Sequence, residues 1–186
     1  VDNDCDFLID NEDPNCIDEE PFTITTTFQG AQVGAEAGFS VASAGDINKD
    51  QWPDMIIGSP GIGHETGEAY LYVSFPQITT GNLYDATHVF RGAHPFSRTG
   101  SSVSGVGDID GDLRTDIVIG ADHTGIHEGL QSAYGNAYIF SGIDIINPIP
   151  RSVDEASIQI RGSEGDFFGA NLLGIGDTNG DGLDDY

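Results

Sequence analysis

The sequence is poor in positive charge and in cysteine, and it has no long apolar run. Six Lys and Arg stand against 31 Asp and Glu, giving a formal charge of −25 over 186 residues, and phosphate repulsion at that balance excludes nucleic-acid binding. No eighteen consecutive apolar residues occur, which excludes a membrane-spanning helix in this segment. The residues after Val1 form no apolar leader, so a mature or internal start is expected. Cys5 and Cys16 are the only cysteines, and without a CxxC or Cys/His spacing they exclude a zinc site. In an extracellular chain they would close a small disulfide loop; two unpaired thiols are the alternative. No Gly-x-Ser-x-Gly elbow and no glycine-rich phosphate loop ahead of a helix is present, so hydrolase and nucleotide-binding motifs are missing.

What is present is glycine, β-branched and aromatic residues, and clustered acid. Twenty-six glycines punctuate short runs of Val, Ile, Phe and Tyr with no sustained helical period, which predicts an all-β chain. Nine acids fall in residues 1–20 and eleven in three short clusters, leaving eleven to face the six bases. A halophilic surface would also be acidic and poor in lysine, but it would spread its carboxylates. Clustering favours cation ligation, although the two are compatible.

Three stretches repeat. "FQGAQVGAEAGFSVASAGDINKDQWPDMIIGSP" starts at Phe28, "FRGAHPFSRTGSSVSGVGDIDGDLRTDIVIGAD" at Phe90, and "IRGSEGDFFGANLLGIGDTNGDGLDDY" at Ile160. Their acidic loops begin at Asp46, Asp108 and Asp177, spacings of 62 and 69. An apolar strand follows each of the first two loops, then a Tyr-containing strand at 67–73 or 135–141, then an edge-like "THVFRG" or "SIQIRG". Variable loops are expected at 61–66, 76–86, 122–134 and 142–156. Four strands per unit match a β-propeller blade. The expected organisation is an N-terminal acidic arm over 1–21 carrying the two cysteines, then a repeat segment over 22–186 with units of about 28–89, 90–159 and 160–186. By register, the chain stops as its next strand is due, so Tyr186 reads as the edge of a fragment.

The loops share the pattern D-x-[DN]-x-D-x-x-x-D: Asp46, Asn48, Asp50, Asp54; Asp108, Asp110, Asp112, Asp116; Asp177, Asn179, Asp181, Asp185. Positions 1, 3, 5 and 9 supply side-chain oxygens, and Trp52, Arg114 and Leu183 at position 7 would add a backbone carbonyl. An all-oxygen, multi-carboxylate shell suits calcium better than magnesium, which keeps its waters. Without an ion these carboxylates repel one another. An EF-hand requires Glu at position 12 and flanking helices, whereas Ile57 and Ile119 stand there inside β-branched strands. Gly182 supplies a turn glycine that the first two loops lack, and Pro53 adds to the irregularity of the first. Asp2, Asp4, Asp6 and Asp10 repeat the spacing beside Cys5, leaving open a fourth site or a plain acidic tail.

These elements resemble the FG-GAP repeats of the integrin α-subunit propeller, on Phe168-Gly169, "SVASAGDINKDQWPDMIIGSP", "GDIDGDLRTDIVIGA" and the Gly-x-Ala-Tyr that follows each complete loop. The resemblance covers about 28–186 and implies two complete four-stranded blades plus part of a third, with calcium loops between the first and second strands. Ala37 and Thr99 replace the Phe of the "FG" element, and Gly58-Ser59-Pro60 and Gly120-Ala121-Asp122 replace "GAP". About three Ca²⁺ sites carry over at the matched positions, whereas integrin ligand binding does not; no Arg-Gly-Asp occurs, and nothing resembles an inserted ligand-binding domain.

His123, His127 and Glu128, like His64 and Glu65, sit among glycines and read as surface excursions. Paired carboxylates for glycoside hydrolysis stay open from the sequence, but every strong pair is already claimed by an acidic loop. The expected protein is a non-enzymatic, extracellular, calcium-stabilised adhesion segment presenting loops to a protein or glycan ligand on a cell surface or matrix. Two alternatives stand beside it: a filament subunit that exchanges strands with its neighbours, and a propeller appended to a secreted hydrolase.

Overall fold

The computed structural model describes residues 27–73, 81–124, 134–145 and 151–185. Cys5, Cys16, the acidic positions Asp2 to Asp10, His127 and Glu128 lie outside them. The strands are β1 (Phe28–Gln29), β2 (Ser40–Gly45), β3 (Asp54–Ser59), β4 (Glu68–Tyr72), β5 (Gly81–Asn82), β6 (His88–Arg91), β7 (Thr99–Gly107), β8 (Asp116–Ala121), β9 (Asn136–Phe140), β10 (Arg151–Ser152) and β11 (Ile158–Arg161). No helix among the described residues is long and apolar enough to cross a membrane.

Two antiparallel four-stranded blades result. The first runs β2-β3-β4-β6, and the second runs β7-β8-β9-β11. In both, the innermost strand slips register just before the acidic loop, between Ser43 and Gly45 and between Gly105 and Gly107. A bulge there bends the chain into the loop. Positive φ at Gly45, Gly107 and Gly176 marks the same bend in all three units.

A two-residue strand from each complete unit also pairs in parallel with the Phe-x-Gly strand that precedes the unit's blade. β10 lies on β6 with Arg151 opposite Phe90, and β5 lies on β1 with Gly81 opposite Phe28. A single 3-10 turn follows each of them, closed by a capping arrangement. Tyr84 N–H donates to Asn82 Oδ1 and Asn82 N–H to Asp85 Oδ2, both at 3.2 Å; Ser152 and Glu155 do the same at 3.3 Å. Leu83 and Val153, fully buried, anchor these turns. Sequence reasoning assigns both stretches to variable loops, and the structure replaces that reading with paired strands and capped turns.

The main core lies between the blades. Ile56, Leu71 and Phe90 meet Ile117, Ile119 and Phe140, all buried, with the Phe90 and Phe140 rings 4.6 Å apart. Glycine sets the blade spacing. A Cβ on Gly58 would sit 2.0 Å from the Gly100 carbonyl oxygen, and one on Gly120 the same distance from that of Gly169. Parallel bridges Gly67–Thr99 and Gly135–Phe168 repeat the contact. On the opposite face of blade one no further blade packs among the described residues: Val41 is 57% exposed, while its counterpart Val103 is 5% exposed.

Candidate metal centres

The three acidic loops have one backbone conformation. Positions 4 and 6 are left-handed in each: Lys49 and Gln51, Gly111 and Leu113, Gly180 and Gly182. The turn that the third loop makes with Gly182 is made in the others by Gln51 (φ 75°) and Leu113 (φ 67°), side chains for which that region costs about 1–2 kcal/mol. Leu113 is 76% exposed and packs little. Leu113→Gly should therefore stabilise the chain by about 0.5 kcal/mol, after the extra unfolded-state entropy of glycine, and raise the melting temperature by about 1–2 °C. Differential scanning fluorimetry reads the sign directly; a fall would show that Leu113 has a packing role.

Side-chain geometry repeats as well. The position 1 carboxylate accepts a pair of loop N–H groups: Gly111 and Leu113 on Asp108 (both 2.8 Å), Gly180 and Gly182 on Asp177 (2.7 and 3.0 Å), Asp50 and Gln51 on Asp46 (3.0 and 2.8 Å). Position 3 takes the N–H of position 5 at Asn48, Asp110 and Asn179 (2.8–3.0 Å). Position 5 takes the N–H of position 7 at Asp50, Asp112 and Asp181 (2.8–2.9 Å). Position 9 reaches back to the N–H of position 2: Asp54 to Ile47, Asp116 to Ile109 and Asp185 to Thr178. In each loop the side chains at positions 1, 3, 5 and 9 are thus fixed as acceptors by the loop's own amides.

In the second loop, ligand atoms of Asp108, Asp110 and Asp116 lie within 4.8 Å of one another. Oxygens on a calcium shell at about 2.4 Å can be at most about 4.8 Å apart, so these three are close enough to share one such ion. Loops one and three carry Asn at position 3, which removes one carboxylate from the equivalent group. Asp112 is also held from outside its loop: Ser141 Oγ (2.9 Å) and the Ile143 N–H (3.0 Å) both donate to its Oδ2. Asp116, fully buried, also accepts the Gly142 N–H at 2.7 Å. Burial pushes its carboxyl up to about 6 against the pull of the Gly142 and Ile109 amides, and Asp110 and Asp112 add to the rise. A cation would reverse that shift. Asp185 is held below the usual carboxylate range by the Thr178 hydroxyl and amide.

No family model matches the sequence. Individual proteins do, over most of its length. Integrin alpha-5 of Xenopus laevis is 32% identical over 173 residues, 85% of this chain and 15% of that protein. Integrin alpha-E of Mus musculus is 33% identical over 178 residues, covering 90% and 14%. Integrin alpha-V of Gallus gallus is 30% identical over 167 residues, covering 85% and 15%. The chain belongs to the integrin α-like FG-GAP β-propeller family. It spans about one-seventh of the length of these curated relatives.

This integrin α-like segment carries a second polar cluster that sequence reasoning did not assemble. It lies at the other end of the blades, where β2 and β7 begin. Arg98 pairs with Glu36 (3.2 Å) and Asp122 (3.7 Å), and its guanidinium lies 5.3 Å from the Phe39 ring centre. His123 Nδ1 is 2.9 Å from Asp122 Oδ1, and its ring is 5.2 Å from Phe167. The cluster draws one or more residues from each unit, so no local pattern announces it. His64, by contrast, is an exposed turn residue at φ 59°.

Proposed function

We propose that this chain is an extracellular adhesion segment whose blades are held by calcium in the three acidic loops. The convergence of Asp108, Asp110 and Asp116 within 4.8 Å carries the reading, because three carboxylates at that separation are mutually repulsive without a cation. Asp46, Asn48, Asp50, Asp54 and the Trp52 carbonyl would hold one ion. Asp108, Asp110, Asp112, Asp116 and the Arg114 carbonyl would hold the second, and Asp177, Asn179, Asp181, Asp185 and the Leu183 carbonyl the third. The shared amide network and the integrin relatives support extending the assignment to all three loops. The ions are structural: each closes the turn between the first two strands of its unit.

Partner contact is assigned to the opposite end, where Phe39, Phe96 and Phe167 are exposed beside the Arg98 cluster. Phe96, Arg98 and Phe167 are also left-handed there, and strained non-glycine residues concentrate at functional sites. The partner class is a protein or glycan at a cell surface or in the matrix. No reaction is assigned to the chain.

Trp52, the only tryptophan, sits at position 7 of the first loop and offers a direct test. Terbium added to the chain should emit when Trp52 is excited, and calcium should compete the emission away. Asp46→Asn with Asp50→Asn should abolish it. Absence of sensitised emission in the folded chain would remove the cation from loop one.

A further inference from the structure

The third loop holds one acid outside the ligand pattern. Asp184, at position 8, turns toward the second loop rather than into its own. Its Oδ2 accepts the Asp108 N–H at 2.8 Å, and its own N–H donates to the Asp108 carbonyl at 2.9 Å. Its side chain also fills the space beside Gly107, where a Cβ would lie 2.0 Å from Asp184 Oδ2. Asp108 is position 1 of loop two, the residue on which the Gly111 and Leu113 amides converge. Meanwhile Asp185 closes loop three through two backbone bonds to Ile175 and Gly176, each 3.1 Å. Asp184 therefore stands between the closure of one loop and the first ligand of the next.

The first and second loops touch at the corresponding place by different means. Thr115, position 8 of loop two, fills the space beside Gly45, and Arg114 Nη1 donates to the Ile47 carbonyl at 2.6 Å. The carboxylate clamp on a ligand's backbone belongs to the seam between loops two and three.

We propose that Asp184 is a positioning residue that couples cation binding in loop three to cation binding in loop two. The inference rests on the calcium reading of both loops. An ion in loop three fixes positions 177–185, and with them the Asp184 carboxylate and amide that hold Asp108 in its ligating pose. An ion in loop two offsets the repulsion between the Asp108 and Asp184 carboxylates. The two effects have the same sign, and linkage makes the coupling reciprocal.

The test uses the full chain with Trp52→Phe and Leu113→Trp, so that terbium luminescence reports loop two. Loop three is disabled by Asp177→Asn with Asp181→Asn, and terbium affinity is measured with Asp184 present or replaced. With Asp184, disabling loop three should weaken terbium binding at loop two by about fivefold or more, within the usual range of coupling between sites. In Asp184→Ala the same change should have less than about a twofold effect. Asp184→Asn, which keeps an acceptor oxygen for the Asp108 N–H, should retain the coupling and shows that loss in the alanine variant is not misfolding. Equal effects with Asp184 in place and in the Asp184→Ala background would overturn the coupling while leaving the cation sites standing. No loop-two luminescence in any folded variant would overturn the cation reading and the coupling together.

Discussion

Adding a chelator to the calcium-saturated chain is expected to lower its melting temperature by roughly 20 °C. At a free calcium concentration of about 100 times Kd, a site present only in the folded state contributes about 2.7 kcal/mol, so three loops contribute roughly 8 kcal/mol before any coupling between them. A chain of this size shifts by about 2–4 °C per kcal/mol. Removing the ions also restores repulsion within loops that hold eleven acids in a protein of net charge −25. Magnesium should restore less than calcium, because these shells require a ligand count and flexibility that magnesium resists. A melting curve that does not move with chelator would end the structural-calcium reading, whatever the loops look like.

The second large effect is steric. Gly58→Ala should cost about 3 kcal/mol or more, because the new methyl would lie 2.0 Å from the Gly100 carbonyl oxygen and 2.3 Å from Ser40 Oγ. A flexible side chain could move aside, but Gly100 cannot. Its own backbone is left-handed at φ 87°, and a Cβ there would be 2.4 Å from the Glu68 carbonyl. The blades would have to part, loosening the Phe90–Phe140 contact behind them. Gly165→Ala provides the control. That glycine is also left-handed, at φ 88°, but a methyl there meets nothing within 4 Å, so only the conformational cost of about 1 kcal/mol applies. Thermal melts should show losses of about 6–12 °C and 2–4 °C respectively. Equal losses would mean that backbone conformation, and not blade spacing, sets the cost.

The blades themselves were legible in the sequence because each strand carries its own signal. "DMIIGS" and "DIVIGA" are β-branched runs buried on both faces, and "EAYLY" and "NAYIF" follow them in both units at a similar remove. The short parallel pairs were not legible. β5 and β10 have two residues each, too few for a period, and what fixes them is one buried side chain, Leu83 or Val153. The Asn82 and Ser152 capping signatures were available and would have flagged the turns. In the loops, spacing identified the acceptors, yet the expectation of a glycine at the turn missed that amide bonds to Asp46 and Asp108 hold Gln51 and Leu113 in the same conformation. The Arg98 cluster and Asp184 escaped for another reason. Their partners lie in neighbouring units, and only the packed blades bring them together.

The parallel pairing of β10 with β6 gives the assembly a mechanical character. A strand that leaves the second blade crosses back to lie along the outer edge of the first, as one course of shingles laps the next, and β5 lies on β1 in the same way. The chain is covalently continuous through β6 into β7, and it returns over the same seam at β10. Prising the blades apart therefore means stripping this lap as well as opening the glycine contacts, so the joint resists peeling from the rim inward.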